Sequence, residues 1–382
     1  MCSTQVNLPV VIEIEPTEHC NLRCRMCHVS YMPAEKRKLL DIALLENLRS
    51  LRGCYFIVGS SFEPTIHPSF DEILDFIELG DHRLELITNG TKVTPSFAER
   101  LTRLRTEIVT VSFDGIKKET YERIRRGAKH EEVVKGVRLL RRSLDGVGGL
   151  LAINFTVLRS SMSEMLDAVR FWDDIGVDQI RLISCVLRGD DAALLGESLW
   201  PVRGRYFDLL DEIARVVVSE QLRISVRSPY YASKSFRQKE ICEPSGDCIF
   251  SSDAGSIVIP MNRQTFQVKF GGGFGPGDDC ISPLVFARIA SNGDVLLCNT
   301  IPVGNLAESS IEDIWHGDLA RKLRQEIADN GEKCARCDYY KFCLKSNAID
   351  LEDFSSSRSV KLSEKYSDDN ALKAIVESAK RL

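Results

Sequence analysis

The chain has 382 residues, 43% hydrophobic and 27% charged, with 50 basic and 55 acidic side chains giving a formal charge of −5. That mixture excludes a disordered, collagenous or disulfide-knotted chain. Its slight acidity speaks against a broad nucleic-acid surface, leaving room only for a local basic pocket. No run of about 18 apolar residues occurs, so no transmembrane helix and no membrane partner are expected. Residues 1–15 lack the basic start, apolar core and small-residue cleavage site of a secretory signal. The thirteen cysteines are odd in number, with three in Cys20–Cys27 and three in Cys334–Cys343. Such crowding without a secretory signal points to a cytoplasmic protein whose thiolates serve a metal or catalysis rather than disulfides.

In chain order, Val10–Glu15 reads as a strand that runs into the first cysteine cluster. Asp41 caps a helix with Ile42, Leu45, Leu48 and Leu51 on one side, ended by Gly53. Tyr55–Val58 is a second strand, and Ser69-x-x-Glu72 is a capping box opening a helix that Gly80 closes. Leu84–Thr88 is strand three, and Thr94-Pro95 starts the next helix. Ile108–Phe113 is strand four, followed by a long helical stretch to about Arg142. Leu150–Leu158 is strand five, Ser161-x-x-Glu164 opens a helix reaching Gly176, and Ile180–Ser184 is strand six. Six βα units in succession predict a parallel sheet covered by helices. The rhythm alone leaves a doubly wound sheet and a barrel both open.

Beyond residue 184 the rhythm changes. Val202–Val218 reads as a helix and Leu222–Arg227 as a short strand; Gly271–Gly277 is a joint in composition and lacks the Gly-Lys-Ser/Thr of a phosphate loop. Phe286–Ile289 and Val295–Leu297 flank a Ser-Asn-Gly-Asp hairpin turn, and Ser309-x-x-Glu312 caps a helix to about Ala328. The organisation expected is a barrel unit over 8–190, a bridging segment 191–275, a metal-held extension 276–350 and a tail 351–382.

Cys20-Asn-Leu-Arg-Cys24-Arg-Met-Cys27 stands on the loop leaving strand one. Three such thiolates can hold three irons of a 4Fe–4S cube and leave the fourth open; a structural zinc site completed by His19 or His28 is the alternative. The C-terminal end of a parallel strand is where such sheets place catalysis. Here the sequence resembles the radical SAM superfamily, with Met26 where an aromatic residue is frequent. Gly59-Ser-Ser-Phe-Glu63-Pro64 after strand two resembles the motif that receives the methionyl amino group of S-adenosylmethionine (SAM), with Phe62 in a position where glycine is usual. Thr88-Asn89-Gly90 and Ser112-Phe-Asp114-Gly resemble the ribose-contacting positions, and the resemblance implies Asn154 at the adenine edge, with a plain barrel-core role as the alternative. The resemblance, over about residues 8–190, implies a partial (β/α)6 TIM-like barrel. It implies SAM chelating the open iron, one-electron cleavage to a 5′-deoxyadenosyl radical, and an electron donor such as flavodoxin or ferredoxin.

The second array is Cys280, Gly293, Cys298, then Cys334-x-x-Cys337 and Cys343. It resembles the SPASM extension of radical SAM enzymes; a zinc ribbon is the alternative. Asn347 takes the place of a further cysteine, and two complete clusters would need about eight thiolates. One auxiliary 4Fe–4S cluster, as in the shortened twitch form, is therefore expected on Cys280, Cys298, Cys334 and Cys337, with Cys343 a substitute or spare. Cys54 and Cys185 read as buried small hydrophobes. Cys248, and less so Cys242, is the candidate hydrogen donor to a substrate radical. With strand one beginning at Val10, no N-terminal leader-recognition domain is expected. The reading favoured is an oxidoreductase or epimerase acting on a small molecule, a sugar or aminocyclitol-like natural product. A peptide-modifying maturase and a non-catalytic electron-transfer protein are the alternatives.

Overall fold

The computed structural model describes residues 8–185, 196–228, 239–242, 248–251, 257–258, 282–298 and 301–328. Strands β1 (Val11–Ile14), β2 (Tyr55–Val58), β3 (Arg83–Thr88), β4 (Arg105–Ser112), β5 (Leu150–Val157) and β6 (Gln179–Ser184) lie side by side in sequence order, all parallel. A seventh strand, β7 (Ser225–Arg227), continues the parallel sheet beyond β6. The parallel sheet expected from the βα rhythm, and the partial barrel that the family resemblance implies, are therefore present, one strand longer on that side.

Helices α1 (Phe70–Leu79), α2 (Pro95–Thr102), α3 (Lys118–Ile124), α4 (His130–Asp145), α5 (Met165–Ile175) and α6 (Arg203–Ser219) fill the crossovers. They share one apolar core with alternate strand residues such as Ile12, Phe56, Leu84, Val109, Ile153 and Ile180, all 2% exposed or less. The intervening residues face away from that core. They include Glu13, Tyr55, Glu85 and Arg181, an unusual density of charge for a sheet interior. Tyr55 donates its hydroxyl to Glu85 at 2.7 Å, and Arg181 approaches the same carboxylate at 3.7 Å.

β8 (Lys239–Cys242), β9 (Cys248–Ser251) and β10 (Ile257–Val258) form a separate antiparallel sheet. The helical turn α7 (Ser282–Val285) then leads into β11 (Phe286–Ile289), which pairs in parallel with the free edge of β1. β12 (Asp294–Cys298) and β13 (Ile301–Asn305) follow antiparallel, so ten strands make one sheet. The C-terminal hairpin is a continuation of the barrel wall. α8 (Ile311–Trp315) and α9 (Asp318–Ala328) cover it, broken at Gly317 where one helix was expected.

Local departures have local causes. Residues 42–48 form a 3₁₀ helix, capped by Asp41 through the Ala43 N–H. Ile42, Leu45, Leu48 and Leu51 recur every third residue, the period at which 3₁₀ side chains eclipse. Ser69 makes no side-chain cap on α1; its own N–H goes to His67 Nδ1. Thr94 does cap α2 through Phe97 N–H, with Pro95 at the first turn. The long stretch after β4 splits into α3 and α4 because Gly127 adopts φ +99°, and a Cβ there would meet Leu22 at 3.3 Å. That break brings residues 124–126 against the cysteine loop.

Cys54 is buried, as expected, with its N–H given to His82 Nδ1. Burial, with Arg52 adding repulsion, pushes the His82 pKa down from 6.5 to about 4. The unfolded chain therefore binds more protons between those values. The stability that neutral His82 contributes is complete above 6.5 and is lost as pH falls towards 4. Urea midpoints at about pH 7 and about pH 5 should separate for wild type and converge for His82→Gln.

Candidate active site

The loop after β1 carries Cys20, Cys24 and Cys27. It is held on three sides. Arg23 N–H bonds to Arg126 O and Arg25 N–H to Ile124 O, both at 2.9 Å, along the α3–α4 break. Arg25 pairs with Glu197 at 3.0 Å, and Ser30 donates its hydroxyl to Cys24 O at 2.7 Å. Cys20 Sγ accepts from Leu22 N–H at 3.4 Å and from Asn89 Nδ2 at 3.8 Å. Such donors stabilise a thiolate and tune whatever iron it binds.

Cys24 is buried, and its thiol is pushed up to about 12 by desolvation, which Arg125 partly opposes. Burial raises Cys20 and Cys27 in the same way. Each thiolate also repels its neighbours, so the three are electrically coupled and need a cation to ionise together. Beneath them lies a buried ion pair, Asp114 Oδ2 to Arg125 Nε at 2.7 Å. Burial disfavours the charge on Arg125, and the neighbouring groups, Asp114 foremost, more than offset it, so the guanidinium pKa is raised above its ordinary value. Asp114 Oδ1 also accepts Thr156 N–H at 2.7 Å.

After β2 the chain turns at Gly59, φ +75°, where a Cβ would stand 2.5 Å from the Pro64 ring and 3.0 Å from Ile87 O. Only glycine fits that approach. Glu63, 1% exposed, follows. Its Oε1 accepts from the Thr65 hydroxyl at 2.5 Å and the Thr88 hydroxyl at 2.7 Å, and its Oε2 accepts Asn89 N–H at 2.6 Å. Asn89 Nδ2 donates to Asn21 Oδ1 at 2.8 Å. The loops after β1, β2 and β3 are thus one hydrogen-bonded unit at the C-terminal mouth of the sheet.

The description "Radical SAM superfamily" matches residues 14–171, and "Iron-sulfur cluster-binding domain", SPASM, matches residues 280–338. The chain carries a radical SAM domain followed by a SPASM domain. An AdoMet-dependent heme synthase of Methanosarcina barkeri is 25% identical over 352 residues, 90% of this chain and 92% of that protein. A mycofactocin maturase of Mycobacterium tuberculosis is 23% identical over 88% of this chain and 78% of its own. Among solved structures, native anSMEcpe with bound AdoMet superposes with a TM-score of 0.58 at 16% identity, covering 88% of each chain. SuiB of Streptococcus suis gives 0.56 at 17% identity, over 88% of this chain and 72% of its own. These structural likenesses concern the fold.

A radical SAM domain takes a 4Fe–4S cluster and SAM, and a SPASM domain takes auxiliary iron–sulfur. The residues present fit. Asn154, level with Ser112 on the neighbouring strand, has a buried Oδ1 without a partner among the described residues, an acceptor open to a ligand.

The structure places the expected residues unevenly. Cys20, Gly59, Glu63 and Asn89 share the mouth, with Ser112 and Asn154 one pair of strands along. Asp114 is fully buried in its ion pair and faces Arg125 and Thr156, a support beneath the thiols. Cys298 ends β12, and Cys242 and Cys248 stand directly opposite each other in the β8–β9 register. Cys280, Cys334, Cys337 and Cys343 lie outside the described residues. Cys185, expected as a buried hydrophobe, is half-buried just past β6, with Asp114, Glu197 and Cys27 close enough to raise its thiol, which burial pushes up to about 12. Arg125 was not found from sequence: one basic residue in a charged helical stretch carries no signal of burial.

Proposed function

We propose that this radical SAM enzyme is an oxidoreductase or epimerase acting on a polar small molecule of the sugar or aminocyclitol type. The observation that carries the substrate class is the charged sheet face at Glu13, Tyr55, Glu85, Arg181 and Arg288. Such a surface suits a ligand rich in hydroxyl or amino groups. Relatives named for heme synthesis and for GTP cyclisation support small molecules as substrates in this neighbourhood. A second reading is a peptide maturase, supported by the mycofactocin maturase and by the fold of SuiB solved with a precursor peptide. An electron donor such as flavodoxin or ferredoxin is part of the proposal.

Cys20, Cys24 and Cys27 hold the SAM-binding cluster, and the Gly59–Glu63 loop, Asn89, Ser112 and Asn154 hold SAM. Asp114 and Arg125 support the thiols from below. The bound pair supplies one-electron SAM cleavage and hydrogen abstraction from the substrate. The protein orients the substrate and excludes water. Cys280, Cys298, Cys334 and Cys337, with Cys343 in reserve, would hold one auxiliary cluster, which would supply an electron acceptor for a dehydrogenation. Cys248, or Cys242 facing it in register, would give the hydrogen atom in an epimerisation, the resulting thiyl radical being returned to the thiol by one electron from the donor and a proton.

The anaerobically reconstituted chain should release 5′-deoxyadenosine from SAM and hold about eight irons, with about four left in the Cys20→Ala/Cys24→Ala/Cys27→Ala variant. Absence of product, or nearer twelve irons, would refute the reading or its cluster count respectively. Solvent deuterium entering a substrate C–H, abolished in Cys248→Ala with SAM cleavage intact, selects epimerisation. Substrate oxidation without deuterium uptake selects dehydrogenation.

A further inference from the structure

Arg288 lies on β11, opposite Glu13 of β1 in the parallel register. Its Nε stands 3.3 Å from Glu13 Oε1, and a terminal nitrogen stands 3.5 Å from Glu15 Oε1. The same Glu15 oxygen accepts Ser60 N–H at 2.9 Å, Ser61 N–H at 2.7 Å and the Ser60 hydroxyl at 2.6 Å. Ser60 and Ser61 directly follow Gly59, so Glu15 clamps the loop that leads to Glu63.

Glu15 is 2% exposed, and its Oε2 is buried with no hydrogen-bond partner among the described residues. One oxygen is crowded with donors and the other has none. Leaving a carboxylate oxygen desolvated without a donor is costly, so the arrangement is completed by a donor arriving at this loop. Glu63, the acid expected to meet the SAM ammonium, already gives both its oxygens to Thr65, Thr88 and Asn89.

We propose that Glu15 is a SAM-binding residue, its Oε2 accepting an N–H of the methionyl amino group, and that Arg288 of the C-terminal hairpin is the positioning residue that sets it. Seating of the auxiliary domain on β1 then fixes the shape of the SAM loop. The inference rests on the reading that the loop at 59–63 receives SAM.

Equilibrium binding of SAM to the anaerobically reconstituted full chain tests it, with iron counted in parallel. Glu15→Gln should weaken SAM binding by at least about tenfold, the worth of a charge-assisted hydrogen bond, with iron unchanged. Arg288→Gln should weaken it by about three- to tenfold and Arg288→Lys should restore most of that. The double variant should bind no worse than Glu15→Gln alone, because both act through one carboxylate. The SAM-induced change in the spectrum of the reduced cluster should vanish in Glu15→Gln at a concentration that saturates wild type. Wild-type affinity in both single variants with full iron overturns the inference and leaves the loop reading standing. A wild-type chain that binds no SAM overturns both. Should Glu15→Gln fail to fold, the Arg288 pair carries the test, since that side chain keeps 21% of its exposure.

Discussion

Asp114→Ala is expected to lower the unfolding free energy of the iron-free protein by about 3–5 kcal/mol, the cost of leaving one member of a buried ion pair uncompensated. The Asp114 side chain is fully buried, and its partner Arg125 retains only 8% of its side-chain exposure. Without the carboxylate, the guanidinium has no anion beside it and Thr156 N–H loses its acceptor. Asp114→Ala/Arg125→Met should recover much of the loss, because replacing both charges by apolar groups removes the desolvation cost as well. Urea denaturation of the three proteins checks this, and a loss below about 1 kcal/mol for the single variant would contradict it. The double variant also separates support from stability. Its restored fold would lack both Arg125, which lowers the Cys24 thiol, and Asp114, which raises it by less, so iron uptake at neutral pH should remain below wild type.

The same pair shows where sequence reading stopped. Ser112-Phe-Asp114-Gly was legible as a motif after a strand, yet its spacing cannot say whether Asp114 meets a ribose or a guanidinium. That depends on Arg125, which reaches it only because Gly127 ends α3 and turns the chain back onto the cysteine loop. The strands β1 to β6 were legible because apolar runs bounded by caps and glycines are local signals. The pairing of β11 with β1 was not. Ile14 and Ile289 stand side by side although most of the chain separates them, and a local apolar pattern gives no clue to which edge a distant hairpin will choose. Capping boxes misled for a similar reason. Glu164 looked like the reciprocal cap of Ser161, but its carboxylate instead accepts Ile116 N–H, Lys117 N–H and the Thr120 hydroxyl from the segment after β4. The cysteine loop after β1 was legible as a segment because its spacing is written along the chain.

Glu63→Gln is expected to lower the rate of SAM cleavage by about 10- to 100-fold while leaving the protein folded, the worth of one buried donor left unsatisfied and opposed. Burial raises the Glu63 carboxyl from its ordinary 4.5, against the donors from Thr65, Asn89 and Thr88 that favour its charge. Neutralising it therefore relieves a desolvation cost, and global stability should change little. The geometry is what suffers. Glutamine can keep one accepting oxygen for the Thr65 and Thr88 hydroxyls, but its amide nitrogen then faces Asn89 N–H, donor against donor. Asn89 must move, and with it the Nδ2 that reaches Cys20 Sγ and Asn21. The midpoint potential of the SAM-binding cluster should therefore shift in Glu63→Gln, because a donor to Cys20 Sγ, the proposed ligand, is lost. A variant with a slower rate and an unmoved potential would place the defect in SAM binding alone. Wild-type values for both would show that Glu63 serves only to fill the space behind Pro64. Glu63→Asp, which keeps the charge one methylene short, should fall between wild type and glutamine in potential if the hydrogen-bonded unit of three loops governs the cluster.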